Sequence, residues 1–179
     1  MGLSAAGKAL AAQWLKTLTG RDLIERLVQN PVFFTIMPRL QFDLPKTFRF
    51  STEVQIYISH VNYGGHLDNA QLLTLVSEAR MRFFKALGYH EGDVEGCAIV
   101  VGDLGAQYRS EGFHGEVMQI ALEPTDFNKY GFDLVFNMQE RNSGRDVARG
   151  KVGIVFIDPE RKKPAPVPAS FIDKVKQLG

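Results

Sequence analysis

The feature that most restricts this chain is a change of hydrophobic period across one glycine-rich segment. Upstream of SHVNYGGHLDN (59–69), apolar and polar residues alternate. Phe48, Phe50, Thr52, Val54, Ile56 and Ile58 share one face of an extended strand, and Arg49, Ser51, Glu53 and Gln55 share the other. Downstream, Leu72, Leu75, Val76, Ala79, Phe83 and Leu87 recur every three or four residues until Gly88 stops the run. That spacing predicts a long helix wrapped in apolar surroundings. Asp68 as N-cap with Gln71 three residues later fits a capping box at its start. A half-buried strand and a helix joined by so short a bend must share one core.

Beyond the helix the chain reads as four more strands, Ala98–Arg109, Gly115–Glu123, Tyr130–Glu140 and Arg145–Asp158, with turns at Glu111–His114, Pro124–Asn128 and the hairpin-forming Arg141–Gly144. Short links between successive strands predict an antiparallel meander. The fold class is therefore α+β: a curved antiparallel sheet of about five strands wrapped around a long central helix. ERKKPAPVPASF reads as an extended, proline-rich exit, and Phe171–Leu178 as a short closing helix.

Residues 1–45 read differently. Leu10, Trp14 and Leu18, then Leu23, Ile24, Leu27 and Val28, predict two short helices between residues 4 and 29. Pro31, Pro38 and Pro45 interrupt the connector that follows, whose Phe33, Phe34, Ile36 and Phe42 require burial. The organisation expected is an N-terminal helical extension and connector over 1–45 and a main domain over 46–179.

Composition narrows the function classes. Across 179 residues, 21 Lys and Arg balance 20 Asp and Glu, so the net charge of +1 gives no basic field for nucleic acid. No apolar run reaches the roughly 18–20 residues of a membrane span. Cys97 is the only cysteine, which excludes an internal disulfide and a Cys-rich zinc site and fits a reducing, cytoplasmic setting. Lys8, Lys16, Arg21 and Arg26 also fit an organellar transit peptide, the alternative to cytoplasmic residence. His60, His90 and His114 lack the spacing of metal ligands, and no metal or other cofactor is expected.

The run VQIYISHVNYGGHLDNAQLLTLVSEARMRFF resembles the first strand, active loop and central helix of hot-dog thioesterases, of the 4-hydroxybenzoyl-CoA thioesterase and plant acyl-ACP thioesterase types. The matching residues are Asn62, Gly64, Gly65, His66, Asn69, Glu78, Ala79 and Arg80, and the similarity covers roughly residues 48–170. It implies a hot-dog fold, hydrolysis of an acyl thioester of coenzyme A or of acyl carrier protein, and a homo-oligomer, dimer or tetramer, with sites built across paired subunits. One position departs from the pattern. Asn62 stands where the 4-hydroxybenzoyl-CoA type carries its catalytic Asp, and an amide neither takes a proton at neutral pH nor serves as a carboxylate nucleophile.

Thioester hydrolysis needs a base and donors aimed at the carbonyl oxygen. The resemblance implies Glu78 as the base, with a carboxyl pKa raised by apolar surroundings. A plain i,i+4 pair of Glu78 with Arg82 is the alternative. His66 is the second catalytic candidate and Asn62, holding a water or the thioester oxygen, the third. Gly64, Gly65, Leu67, Asp68 and Asn69 are the substrate-binding candidates, because unsatisfied amides at a helix start favour an oxyanion; Asp68 is read first as the helix cap, with a second catalytic acid as the alternative. Arg80, Arg82, Lys85, Arg161, Lys162 and Lys163 read as solvated surface cations that would also suit CoA phosphates. Two further functions share the fold. A non-catalytic acyl-thioester binder would explain Asn62, and an enoyl-CoA hydratase or dehydratase is suggested by the resemblance of NYGGHLDNA to the hydratase Asn-Pro-x-His run.

Overall fold

The structure is a computed structural model that describes residues 40–178. Those residues belong to one compact unit, Leu40–Gly179. The helical pair expected over residues 4–29, and Phe33, Phe34 and Ile36 of the connector, lie outside the described residues. Phe42, within them, is half-buried, and a Cβ at Gly105 would meet its ring at 2.7 Å.

The elements in chain order are β1 (Phe50–Gln55), a 3-10 turn (Ile58–His60), α1 (Asn69–Ala86), β2 (Ala98–Tyr108), β3 (Val117–Thr125), β4 (Gly131–Glu140), β5 (Asp146–Asp158), β6 (Lys163–Pro164) and α2 (Ala169–Gln177). Most boundaries fall within two residues of those read from periodicity. β1 is shorter than expected: it ends at Gln55, and Ile58, placed on the inner face by alternation, begins the 3-10 turn with 72% of its surface exposed. Pro124, expected in a turn, sits inside β3 opposite Leu134.

The sheet order is β1-β3-β4-β5-β2, with β6 paired to the end of β5. All pairings are antiparallel. The expected four-strand meander is thus corrected: β3, β4 and β5 follow one another, but β2 pairs with β5, not with β3. Its link to β3, residues 109–116, passes beside the glycine loop instead of closing a hairpin. Alternation fixes which side chains face inward and leaves the choice of neighbour to tertiary packing.

Leu72, Leu75, Val76, Ala79, Phe83 and Phe84 of α1 pack in one core with Val54, Ile120, Leu122, Leu134, Phe136, Val152, Ile154 and Phe156 of the strands. Phe171 of α2 closes one end of this core, its ring centroid 5.4 Å from those of both Phe132 and Phe156. The apolar stripe of α1 is the one its periodicity predicts, with Phe84 added to it. Enclosure on all sides was not borne out, since Met81 is 56% exposed and Thr74 and Lys85 also face outward. The helix lies on the sheet and leaves its outer face open.

Candidate active site

The bend between β1 and α1 is built by Asn62. Its Oδ1 accepts from the backbone N–H groups of Gly64 (2.9 Å) and His66 (3.3 Å). The Asn62 carbonyl accepts from Gly65 N at 3.0 Å, and its own amide donates to the His66 carbonyl at 2.9 Å. Gly65 takes φ +83, a conformation an L side chain adopts only under strain. In this arrangement the Asn62 amide oxygen organises the turn, a role Asp could fill with the same geometry. Tyr63, at the tip, is fully exposed.

Asp68 caps α1 as expected, with Oδ1 accepting from Ala70 N (2.8 Å) and Gln71 N (3.4 Å). The reciprocal half of a capping box does not form, because the Asp68 amide donates to the His60 carbonyl at 2.9 Å. These bonds narrow the set of oxyanion donors. The amides of Gly64, Gly65 and His66 are held by Asn62, and that of Leu67 donates to Gly112 O at 2.8 Å. Asn69 alone in the run from Gly64 to Gln71 keeps an amide with no acceptor among the described residues. It stands at the positive end of an 18-residue helix. Leu67, a substrate-binding candidate by sequence, is 7% exposed and belongs to the core. Its side chain seats the loop on the domain and is not presented to a ligand.

His66, three residues before the Asn69 amide, is half-buried. Its Nδ1 lies 3.5 Å from Oε1 of Glu111, and its ring meets that of Phe113 edge-on at 5.7 Å. The Tyr108 hydroxyl donates to the Asn69 carbonyl at 3.3 Å, tying the end of β2 to the start of α1. Glu111, Phe113 and Tyr108 carried no local signal in the sequence, because their proximity to the loop follows from the path of residues 109–116.

Glu78 is not brought to the loop within one chain. It lies nine residues beyond Asn69, roughly two and a half turns and about 14 Å along the axis, and so projects from the opposite face of α1. Its carboxylate accepts from Arg82 Nε at 2.7 Å, and its side chain is 43% exposed. Arg82 also donates to Thr52 Oγ1 (3.0 Å) and to the Glu53 carbonyl (2.8 Å). The apolar enclosure expected around Glu78 is therefore absent in the single chain. Glu78 does line a cleft of about 480 Å³ with Met81, Arg82, Lys85, Tyr89, His90 and Glu91.

The other candidate groups divide clearly. Arg80 is buried and donates to Glu91 through Nε (2.7 Å) and Nη2 (3.4 Å), so it is a structural cation. Arg161 pairs with Asp158. Burial first, then the charges of Asp158 and Asp93, push the Cys97 thiol up from its ordinary range, which disfavours the thiolate nucleophile at neutral pH. Among the described residues, no group of three or more His, Cys, Asp or Glu side chains is placed to hold a metal ion, and no helix is long and apolar enough to cross a membrane.

The fold recurs among solved structures. A 1,4-dihydroxy-2-naphthoyl-CoA thioesterase from Synechocystis superposes with a TM-score of 0.66 at 19% identity, covering 72% of this chain and 96% of that one. A DHNA-CoA thioesterase from Staphylococcus aureus gives 0.64 at 16% identity, over 72% and 89%. A probable thioesterase from Escherichia coli gives 0.59 at 20% identity, over 72% and 97%. No curated protein matches the sequence. The family model described as the thioesterase-like superfamily matches residues 56–175, from the end of β1 to α2. This chain is a hot-dog protein and belongs to the thioesterase-like superfamily.

Proposed function

We propose that this chain hydrolyses an acyl thioester of coenzyme A or of acyl carrier protein, as a homo-oligomer in a reducing, cytoplasmic setting and without a cofactor. The observation that carries the reading is the Asn69 amide, without an acceptor among the described residues at the mouth of α1 and three residues from His66, in a chain of the thioesterase-like superfamily. The thioester carbonyl oxygen accepts from this N–H, where the helix dipole favours developing negative charge. A water attacks the carbonyl carbon and gives its proton to His66. The tetrahedral oxyanion then collapses, the C–S bond breaks, and the imidazolium returns the proton to the thiolate sulfur. Free acid and thiol result. Asn62, Gly64 and Gly65 shape the loop that presents these groups, and Asp68 holds the helix end.

Glu78 supports a second reading. Its place in a cleft with Met81 and Tyr89 suits a carboxylate that serves the loop of another copy. A second copy is itself favoured by β2, an edge of the sheet among the described residues, along which Val100, Val101, Leu104 and Tyr108 are exposed.

A thiol-release assay over a panel of acyl-CoAs tests both. His66→Gln is expected to lower kcat about 100-fold, and Glu78→Gln to stay within about threefold of the parent. The reverse pattern transfers the base to Glu78. Absence of turnover together with tight binding of a non-hydrolysable acyl-CoA analogue would identify a binder. Hydration of crotonyl-CoA, followed by loss of the conjugated double bond, would identify a hydratase.

A further inference from the structure

The link between β2 and β3 is pinned against the active loop by bonds that local sequence did not announce. Arg145, the residue before β5, donates through Nη1 to Ser110 Oγ (3.0 Å) and to the backbone carbonyl of Glu111. Through Nη2 it grips both carboxylate oxygens of Glu116, at 2.7 and 2.9 Å. Glu116 Oε2 in turn accepts from Phe113 N at 3.0 Å. On the other side, Leu67 N donates to Gly112 O, and His66 and Phe113 form a β-bridge. Gly112 permits this closeness, since a Cβ there would stand 2.9 Å from Ile56 Cδ1 and 3.3 Å from Leu67 Cβ. The backbone on both sides of Glu111 is thus fixed relative to His66.

Charge matching leaves one carboxylate for the imidazole. Arg145 is neutralised by Glu116 in a bidentate pair. Glu111, held by the same guanidinium only through its backbone carbonyl, turns its side chain to His66 Nδ1 at 3.5 Å. His66 Nε2 has no hydrogen-bond partner among the described residues and stays available to a ligand or a water. A carboxylate on one ring nitrogen selects the tautomer with the proton on that nitrogen, directs the lone pair of the other outward, and stabilises the imidazolium formed during turnover.

We propose that Glu111 is a positioning residue for His66, supplying from the β2–β3 link the carboxylate that the loop lacks at Asn62. The inference rests on the thioesterase reading above for its catalytic half; the pairing itself does not. In this role Glu111 acts through His66. The Glu111 side chain is 61% exposed, so solvent screens the pair and its effect on rate is modest.

The full-length protein is compared with Glu111→Gln and Glu111→Asp by two measurements. The ¹⁵N shifts of the His66 imidazole are expected to report the Nδ1–H tautomer in the parent, a shift toward Nε2–H in Glu111→Gln, and partial recovery in Glu111→Asp. In the thiol-release assay, Glu111→Gln is expected to lower kcat about tenfold with KM unchanged, again with partial recovery in Glu111→Asp. A tautomer that does not respond to Glu111→Gln overturns the pairing whether or not the protein is an enzyme. A responding tautomer with unaltered kcat overturns the positioning role. A responding tautomer in a protein that turns over no acyl thioester overturns the thioesterase reading and the role built on it, and leaves the pairing standing.

Discussion

Among the described residues the sheet has two edges, and they are built on opposite plans. β1 forms one edge with six residues, and its outward side chains Ser51, Glu53 and Gln55 are polar and exposed. Glu53 pairs with Arg141 at 3.0 Å, and Arg82 donates to the Glu53 carbonyl, so part of this edge is already satisfied and charged. β2 forms the other edge with eleven residues. Val100 is 46% exposed, Val101 42%, Leu104 37% and Tyr108 48%. A short, charged edge discourages pairing with another chain, and a long apolar one invites it. The contrast indicates where a second copy would add its strand, and it puts that copy beside Tyr108 and the start of α1.

The largest expected effect comes from reversing the plan of β2. In a two-fold symmetric edge pairing, a charge placed near the axis faces its own copy. Val101→Asp is expected to weaken self-association by about 3 kcal/mol, a dissociation constant raised roughly 100-fold, as measured by sedimentation velocity over a dilution series. Glu53→Lys on β1 is expected to leave association unchanged. A parent protein that is monomeric at high concentration, or a Val101→Asp variant that associates as before, would remove the functional distinction between the edges.

The β1 edge has its own lock, and breaking it has a smaller effect. Glu123 on β3 is buried and accepts from the backbone N–H and the guanidinium of Arg49, just before β1 begins. Arg49→Met keeps the aliphatic stem and the backbone donor but leaves the carboxylate without its cation. The expected loss is about 1–2 kcal/mol of unfolding free energy, read from urea denaturation at neutral pH. A loss below about 0.5 kcal/mol would mean that solvent reaches Glu123 and that pairing with β3 alone fixes this edge.

The same edges separate what the sequence made legible from what it did not. Alternation identified β1, and the three- and four-residue spacing from Leu72 to Leu87 identified most of the buried stripe of α1, because each signal is local and backed by burial; β2, none of whose residues is buried, was read from its apolar content and flanking turns. Asp68 was readable as a cap for the same reason. Which strand lies beside β2 was not readable. A period of two assigns faces and is silent about neighbours, and so the meander failed at the β2–β3 step. Glu78 was drawn toward the loop by likeness to relatives, whereas the helical period from Asn69 turns it to the opposite face. Glu111, Arg145 and Glu116 meet only once β5 has paired with β2 on its far side from β4. No window of the sequence holds all three.

The interior of the sheet offers a control that the edges lack. The hairpin between β4 and β5 turns at Arg141–Gly144, and the Glu140 carboxylate accepts from Asn142 N (3.1 Å), Ser143 N (2.7 Å) and Ser143 Oγ (2.6 Å). The Ser143 hydroxyl first, then these two amides, hold its pKa at about 2, below the ordinary 4.5. A carboxylate whose pKa is depressed by folding stabilises the native state fully above its ordinary pKa, and that contribution is lost as pH falls through 4.5 toward 2. Glu140→Gln is therefore expected to lower the urea midpoint at pH 6 and to flatten its decline between pH 4.5 and 2.5, with sedimentation unchanged, since neither edge is touched. A Glu140→Gln protein with the parent's acid slope would assign that slope to the other carboxylates. A change in its association would mean that the hairpin, and not β2, carries the contact between copies.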